Sequence, residues 1–236
     1  MLNPTPPVAA APVLPIDQAP FSGAPAGGAA LRLLLPGTAL FLEGLHAAAT
    51  VRILSGCVCL HQTLSDGRRQ ILDILGPGRM LGAALLDTQP AGALALTFTR
   101  LEPVDPEREP EALAGALRLR LARAQAHVVR LGRRTAQERI AAALLDLSGQ
   151  FARRGRGAAH TRFTLYPKRA DLADWLGLTV ETVSRCLNAF RREGLIAFDR
   201  PEIVTIRDRA ALERRAAGGS AAGNPSMLSG QTGGQP

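Results

Sequence analysis

Residues 176–196 read Leu176-Gly-Leu-Thr-Val-Glu-Thr-Val-Ser-Arg-Cys-Leu-Asn-Ala-Phe-Arg-Arg-Glu-Gly-Leu-Ile196, and this stretch decides the fold. Gly177 suits a tight turn, and the Thr179 side chain is placed to accept from the first free amides of a following helix. Within that helix Val180, Val183, Leu187 and Phe190 recur at helical spacing and are expected to form a buried stripe. Glu181, Ser184, Arg185 and Asn188 stand at i, i+3, i+4 and i+7, so they share a different face. A rod with an apolar back and a carboxylate, hydroxyl and guanidinium front is built to read base edges in the major groove of DNA. The stretch reads as the turn and second helix of a helix-turn-helix.

Working outward, Arg169–Leu176 is expected to be the first helix of the pair, and Gly194 to end the second as a left-handed residue. Ile196–Phe198 and Ile203–Ile206 flank Asp199-Arg200-Pro201-Glu202, the pattern of two short strands around a turn, or a wing. Upstream, Thr135–Phe151 is amphipathic with Ile140, Leu144, Leu145 and Leu147 inward, followed by an Arg/Gly loop over 153–159. Before it, Leu113, Leu117, Leu121, Ala124, Val128 and Leu131 follow one another at spacings of 4, 4, 3, 4 and 3. That heptad-like seam predicts a long helix with one narrow apolar stripe, best buried against a second copy of itself. From about Leu31 to Leu101 the pattern is different. Turn signals recur at Glu43-Gly44, Ser55-Gly56, Asp66-Gly67 and Gly76-Pro77-Gly78, separating short apolar runs such as Thr50–Leu54, Val58–Leu64 and Gln70–Leu75. Those are the marks of a compact antiparallel barrel or roll, with Asp66-Gly67 as a hairpin turn.

The fold class is therefore α+β: an N-terminal antiparallel β-roll over 30–108, a dimerisation helix over 109–134 and a C-terminal winged helix-turn-helix over 135–215. Residues 1–29, rich in Pro, Ala and Gly, and residues 216–236, rich in Gly, Ser, Asn and Gln, are expected to be disordered tails. Charge follows the same division. Residues 1–111 carry 7 Arg against 10 acids, a net of −3, whereas residues 112–236 carry 21 Lys and Arg against 10 acids, a net of +11. A GC-rich coding bias explains part of the arginine excess but not its segregation, which suits a polyanion-binding half.

Three cysteines, none in a C-x-x-C pair, exclude a disulfide framework or zinc ribbon and fit a reducing compartment. No apolar run approaches the ~18 residues a membrane span needs. The first 31 residues hold no Lys or Arg to open a secretory signal, so a cytoplasmic location is expected. There is no nucleophile–base pairing, metal-spaced cluster or phosphate-cradling Gly loop, so the chain does not read as an enzyme.

The order roll, long helix, winged helix-turn-helix resembles the CRP/FNR family of bacterial transcription regulators over about Leu31 to Arg215. The likeness is carried most by "ADLADWLGLTVETVSRCL" and "RREGLI", and by "LSGCVCLHQTLSDGRRQILDILGPGRMLG", which is similar to that family's cyclic-nucleotide-binding-like roll. Lys168 stands where relatives usually place a Ser or Thr cap. Glu181-x-x-Ser184-Arg185 looks like the FNR/FixK branch. The resemblance implies a homodimer, probing double-stranded DNA for a palindrome of TTGA half-sites, and activation through RNA polymerase. The chemistry agrees: Arg185 can donate a two-pronged hydrogen bond to guanine, Glu181 can accept from a cytosine amine and Ser184 can meet a thymine. Lys168, Arg169, Thr179, Thr182, Asn188 and Arg191 are the expected backbone contacts.

The roll gives no matching sign of an effector. Cyclic-nucleotide binders of this family carry a Gly-Glu-Leu and an Arg that holds the phosphate. Here the corresponding stretches are Gly82-Ala83-Ala84 and Ala91-Gly92-Ala93-Leu94-Ala95, with no Lys or Arg between Arg79 and Arg100. Cyclic AMP is thereby disfavoured. A four-thiolate iron–sulfur cluster is disfavoured too, since Cys57, Cys59 and Cys186 are the only cysteines. Cys57 and Cys59 alternate on a strand as core residues, and Cys186 is expected to lean inward. The alternative reading is a haem-dependent sensor of NO, CO or O2, with His46, His61, His127 or His160 as the iron ligand; otherwise no cofactor is expected.

Overall fold

The computed structural model describes residues 31–45, 49–82, 89–152 and 162–219. The expected tail over 1–29, the Arg/Gly loop over 153–159, His46 and His160 therefore lie outside the described residues.

The roll is built from strands β1 (Arg32–Leu34), β2 (Ala39–Phe41), β3 (Thr50–Ser55), β4 (Val58–Thr63), β5 (Arg69–Leu75), β6 (Met80–Gly82), β7 (Gly92–Ala95) and β8 (Thr99–Val104). They form two antiparallel four-stranded sheets, ordered β1-β8-β3-β6 and β2-β7-β4-β5. Asp66-Gly67 lies in the β4–β5 connection, where the Asp66 carboxylate accepts from the Arg68 amide at 3.0 Å and the Gly67 amide donates to Leu64 at 2.9 Å. Strand alternation sorts β4 into two faces. Val58 and Leu60 join Leu34, Val51, Ile53, Leu81 and Leu101 inside the roll, while Cys57 and Cys59 face the other way.

That outward face is not exposed. Cys57, Cys59, Ile71 and Ile74 share one continuous apolar core with the carboxyl-terminal domain. Both cysteines are fully buried small residues, as expected, and burial pushes the Cys59 thiol up to about 12. A protonated, buried thiol is a packing group.

Helix α1 (Pro110–Arg133) packs along β5 of the roll and has no buried residue in the protomer. Leu117, Leu121, Ala124 and Val128 of the seam are exposed, and Leu113 and Leu131 are half-buried. Helix α2 (Ala136–Phe151) opens on a capping box between Thr135 and Glu138 and buries Ile140, Leu144 and Leu147. Leu145, expected inward, is only half-buried. The domain continues with β9 (Arg162–Thr164), α3 (Arg169–Leu176), α4 (Val180–Arg192), β10 (Ile196–Arg200), β11 (Ile203–Ile206) and α5 (Arg209–Ala216). The wing has three strands, β10-β11-β9, because Val204 pairs with Phe163 as well as with Phe198. The expected tail does not begin at Ala216: that residue and Leu212 are buried on the last turns of α5, which packs on α2.

Where α1 passes α3, the His127 ring stacks on Trp175 at 6.3 Å between centroids, and the Arg130 guanidinium lies 4.9 Å from the Trp175 ring. Among the described residues neither imidazole nitrogen of His127 has a hydrogen-bond partner. Burial, with Arg130 adding repulsion, lowers the His127 pKa to about 4. The unfolded chain takes up this proton near ~6.5, and the folded protein resists it. The His127 contribution to stability is therefore complete above that value and is lost as pH falls toward about 4. In urea melts from pH 7 to pH 4, His127→Gln is expected to show a shallower fall in unfolding midpoint than the natural sequence.

Candidate nucleic-acid interface

The geometry of the interface begins with the turn. Gly177 adopts a φ of +61°, and a Cβ there would meet nothing closer than 3.5 Å. Conformation, not space, is what requires glycine. Leu178 then donates to the Ala173 carbonyl at 3.1 Å, and the chain re-enters a helix at Thr179. The Thr179 hydroxyl accepts from the Thr182 amide at 3.1 Å and lies 2.9 Å from the Thr182 hydroxyl. Such a cap contributes ~1 kcal/mol. Gly194, with a φ of +74°, ends α4 as expected.

Helix α4 packs on α2, α3 and β10 through Val183, Cys186, Leu187 and Phe190, all buried. Cys186 leans inward, as expected. Val180 does not join this stripe. It is 48% exposed because the first turn of α4 overhangs the core it packs against. Sequence periodicity correctly gave its angular position but not the depth of the core beneath it. Its methyl groups stand beside Glu181 and offer an apolar contact of the kind that meets a thymine methyl.

The opposite face is open. Glu181 and Arg185 have side chains 74% and 71% exposed, and Asn188 is exposed as well. Arg185 Nη2 lies 3.5 Å from Glu181 Oε1, so guanidinium and carboxylate hold each other one turn apart. The half-buried Ser184 hydroxyl donates to the Val180 carbonyl at 2.9 Å. Its lone pairs remain free to accept, and it can donate to a thymine only after rotating.

Around this face stand the expected backbone-contact residues. Lys168, Thr179 and Arg191 are exposed, and Thr182 and Arg169 are half-buried. Arg169 does more than face solvent: its guanidinium lies 5.2 Å from the Phe198 ring and ties the start of α3 to the wing. Burial lowers its pKa. The cap of α3 is half of a capping box. Asp171 accepts from the Lys168 amide at 2.8 Å, but an ammonium cannot return the bond.

Arg139 is a structural residue that the sequence did not single out. It donates to the carbonyls of Leu131 (2.7 Å), Arg134 (2.8 Å) and Leu176 (2.9 Å), joining the end of α1 to the end of α3. No local motif marks it, since its acceptors come from two separate segments.

In the roll, a shallow recess opens between the strands and α1, lined by Leu60, Leu75, Leu81, Asp73, Arg79, Arg120 and Arg123 among others. Cations thus reach the recess from α1, which the strand sequence could not show. Arg123 is committed: it bonds Asp73 at 2.6 Å and Asp146 at 2.7 Å, and these carboxylates raise its pKa against the cost of burial. Among the described residues no histidine lines the recess. His61 packs against Gly92 and His127 against Trp175.

A helix pair joined by a left-handed glycine, a polar face turned outward and a three-stranded wing define a winged helix-turn-helix DNA-binding protein. Comparison with known proteins gives the family. Residues 138–215 match the Crp-like helix-turn-helix domain, and residues 31–105 match the cyclic nucleotide-binding domain. The chain is 39% identical to the nitrogen fixation regulation protein FixK of Azorhizobium caulinodans, over 69% of each chain. It is 37% identical to FixK of Rhizobium meliloti, over 75% of this chain and 82% of that one. It is also similar to the transcriptional activator protein FnrA of Stutzerimonas stutzeri, at 32% identity over 73% and 75%. The solved structure of FixK2 from Bradyrhizobium japonicum superposes with a TM-score of 0.72 at 28% identity, covering 83% of this chain and 100% of that one. The chain belongs to the CRP/FNR family of transcription regulators, on its FixK-like branch, and not to a family of enzymes. Among the described residues no helix is long and apolar enough to cross a membrane.

Proposed function

We propose that the protein is a homodimeric, cytoplasmic, sequence-specific regulator that places α4 of each protomer in successive major grooves, ~34 Å apart, on a TTGA-containing palindrome. The observation that carries this reading is the row of exposed Glu181, Arg185 and Asn188 with the half-buried Ser184 among them, opposite the buried Val183, Cys186, Leu187 and Phe190. Arg185 donates to the guanine N7 and O6 of the half-site, Glu181 accepts from a cytosine amine and Ser184 meets a thymine. Lys168, Arg169, Thr179, Thr182, Asn188 and Arg191 bind phosphates.

Dimerisation is supported by α1, where Leu117, Leu121 and Val128 of the seam are exposed in the protomer. Activation is supported by the relatives described as transcriptional activators, and contact with RNA polymerase is the route we propose for it. No cofactor is required. The Arg123 ion pairs, which tie the roll to α1 and α2, support a reading in which DNA binding needs no added ligand.

Anisotropy titrations of the full chain with no effector test the proposal. Binding to the TTGA palindrome near ~10⁻⁸ M, with scrambled DNA at least ~10³-fold weaker, is expected. Equal affinity for both sequences refutes it.

A further inference from the structure

The recognition helix is aimed by the rest of the protein, and one contact between roll and helix-turn-helix stands out. Arg69 opens β5. Its guanidinium bonds Asp171 at 2.6 Å and Asp174 at 2.8 Å. These two aspartates lie at i and i+3 of α3 and so present their carboxylates to one side. All three side chains are partly withdrawn from solvent, Asp171 most of all at 11% exposure. The next residue extends the grip. Gln70 Nε2 donates to the Asp174 carbonyl at 2.7 Å, at the carboxyl-terminal end of α3. Behind these bonds, Ile71 and Ile74 of β5 share a core with Leu172, Trp175 and Leu176 of α3.

The consequence passes directly to α4. Helices α3 and α4 are held together by the Gly177 turn, by the Leu178 amide bonded to the Ala173 carbonyl and by their common core, so whatever fixes α3 fixes the pitch of α4. The clamp leaves the base-reading face open, since α4 packs against α2, α3 and β10 and keeps Glu181 and Arg185 exposed. It therefore orients the recognition helix without covering it. Without Arg69 two carboxylates would face each other across the α3 surface with no cation between them, and their repulsion opens the joint.

We infer that Arg69 is a positioning residue for DNA binding: by holding Asp171 and Asp174 it sets the angle at which each protomer presents α4, and so the half-site spacing that the dimer accepts. This rests on the dimeric palindrome reading above. It assigns to the roll a task other than ligand binding, which is to serve as the rigid bracket of the reading head.

The test uses the full-length natural sequence, Arg69→Met and Asp174→Asn. Asp174→Asn leaves the Asp171 cap intact and guards against a misfolded first variant. Each is titrated on the palindrome, on a single half-site, and on a palindrome whose half-sites are moved apart by half a helical turn. For Arg69→Met, affinity for the correctly spaced palindrome is expected to fall roughly tenfold, with a smaller loss for Asp174→Asn. Half-site affinity is expected to stay unchanged, and the preference for correct over incorrect spacing to shrink. Equal losses on half-site and palindrome would make Arg69 a merely stabilising residue and overturn the inference. Unchanged palindrome affinity and spacing preference in both variants would overturn it as well. If the natural sequence itself fails to prefer the palindrome over the half-site, the dimeric reading falls and takes this inference with it.

Discussion

Arg185→Ala is expected to erase the preference for guanine at its position of the half-site while leaving the fold intact. The side chain is 71% exposed and, among the described residues, its ion pair is with Glu181 across a helical turn, so its removal opens no cavity. What disappears is a fork of two donors matched to N7 and O6 of guanine, worth ~1–3 kcal/mol of discrimination per half-site. The variant should therefore bind the TTGA palindrome and its guanine-to-adenine counterpart alike. Removal of Arg191 separates the two kinds of contact. Arg191 stands in the last turn of α4, exposed, on the same side as Ser184 and Asn188 but two turns further along the helix than Ser184. Its replacement by alanine is expected to weaken all sequences equally and to lower the slope of log affinity against log salt by ~1. Competition titrations at several salt concentrations distinguish the two variants. Equal loss on every sequence for both would contradict the division into reading and positioning contacts.

Leu121→Asp combined with Val128→Asp is expected to leave a folded monomer that has lost nearly all specific affinity. Both side chains are exposed in the protomer, 61% and 71%, so charge at these positions costs the isolated chain little. In a paired α1 seam the same charges would be buried against like charges, which is strongly unfavourable. Without the seam, the second half-site no longer binds as an intramolecular event, and ~10²–10⁴-fold of affinity goes with it. Sedimentation should report the change of mass, and far-UV circular dichroism should report unchanged helix content. A variant that remains dimeric with full affinity would place the dimer contact elsewhere.

The reading head was legible because its determinants are local. Gly177, Thr179, the Val183–Leu187–Phe190 stripe and Gly194 each act within a few residues of sequence, and all four take the conformations that their chemistry requires. Val180 shows the limit of that logic, for helical period says which way a residue points and not whether anything lies there. Strand β9 and helix α5 were missed for another reason. They are three and eight residues long, and their burial depends on partners in β11 and α2. The ionic joints Arg69–Asp171/Asp174 and Arg123–Asp73/Asp146 span wide stretches of chain, up to 105 residues, which no periodicity records. The recess arginines were hidden likewise, because the strand segment was read without the helix that lies across it.

Methylation interference on the TTGA palindrome tests the central claim most directly, because a methyl group on guanine N7 removes the acceptor that Arg185 needs. The account predicts two interfering guanines, one per half-site on opposite strands, placed symmetrically about the centre; both should become silent when Arg185→Ala replaces the natural protein. Interference that is absent, one-sided or unchanged in the variant would mean that α4 does not read these bases.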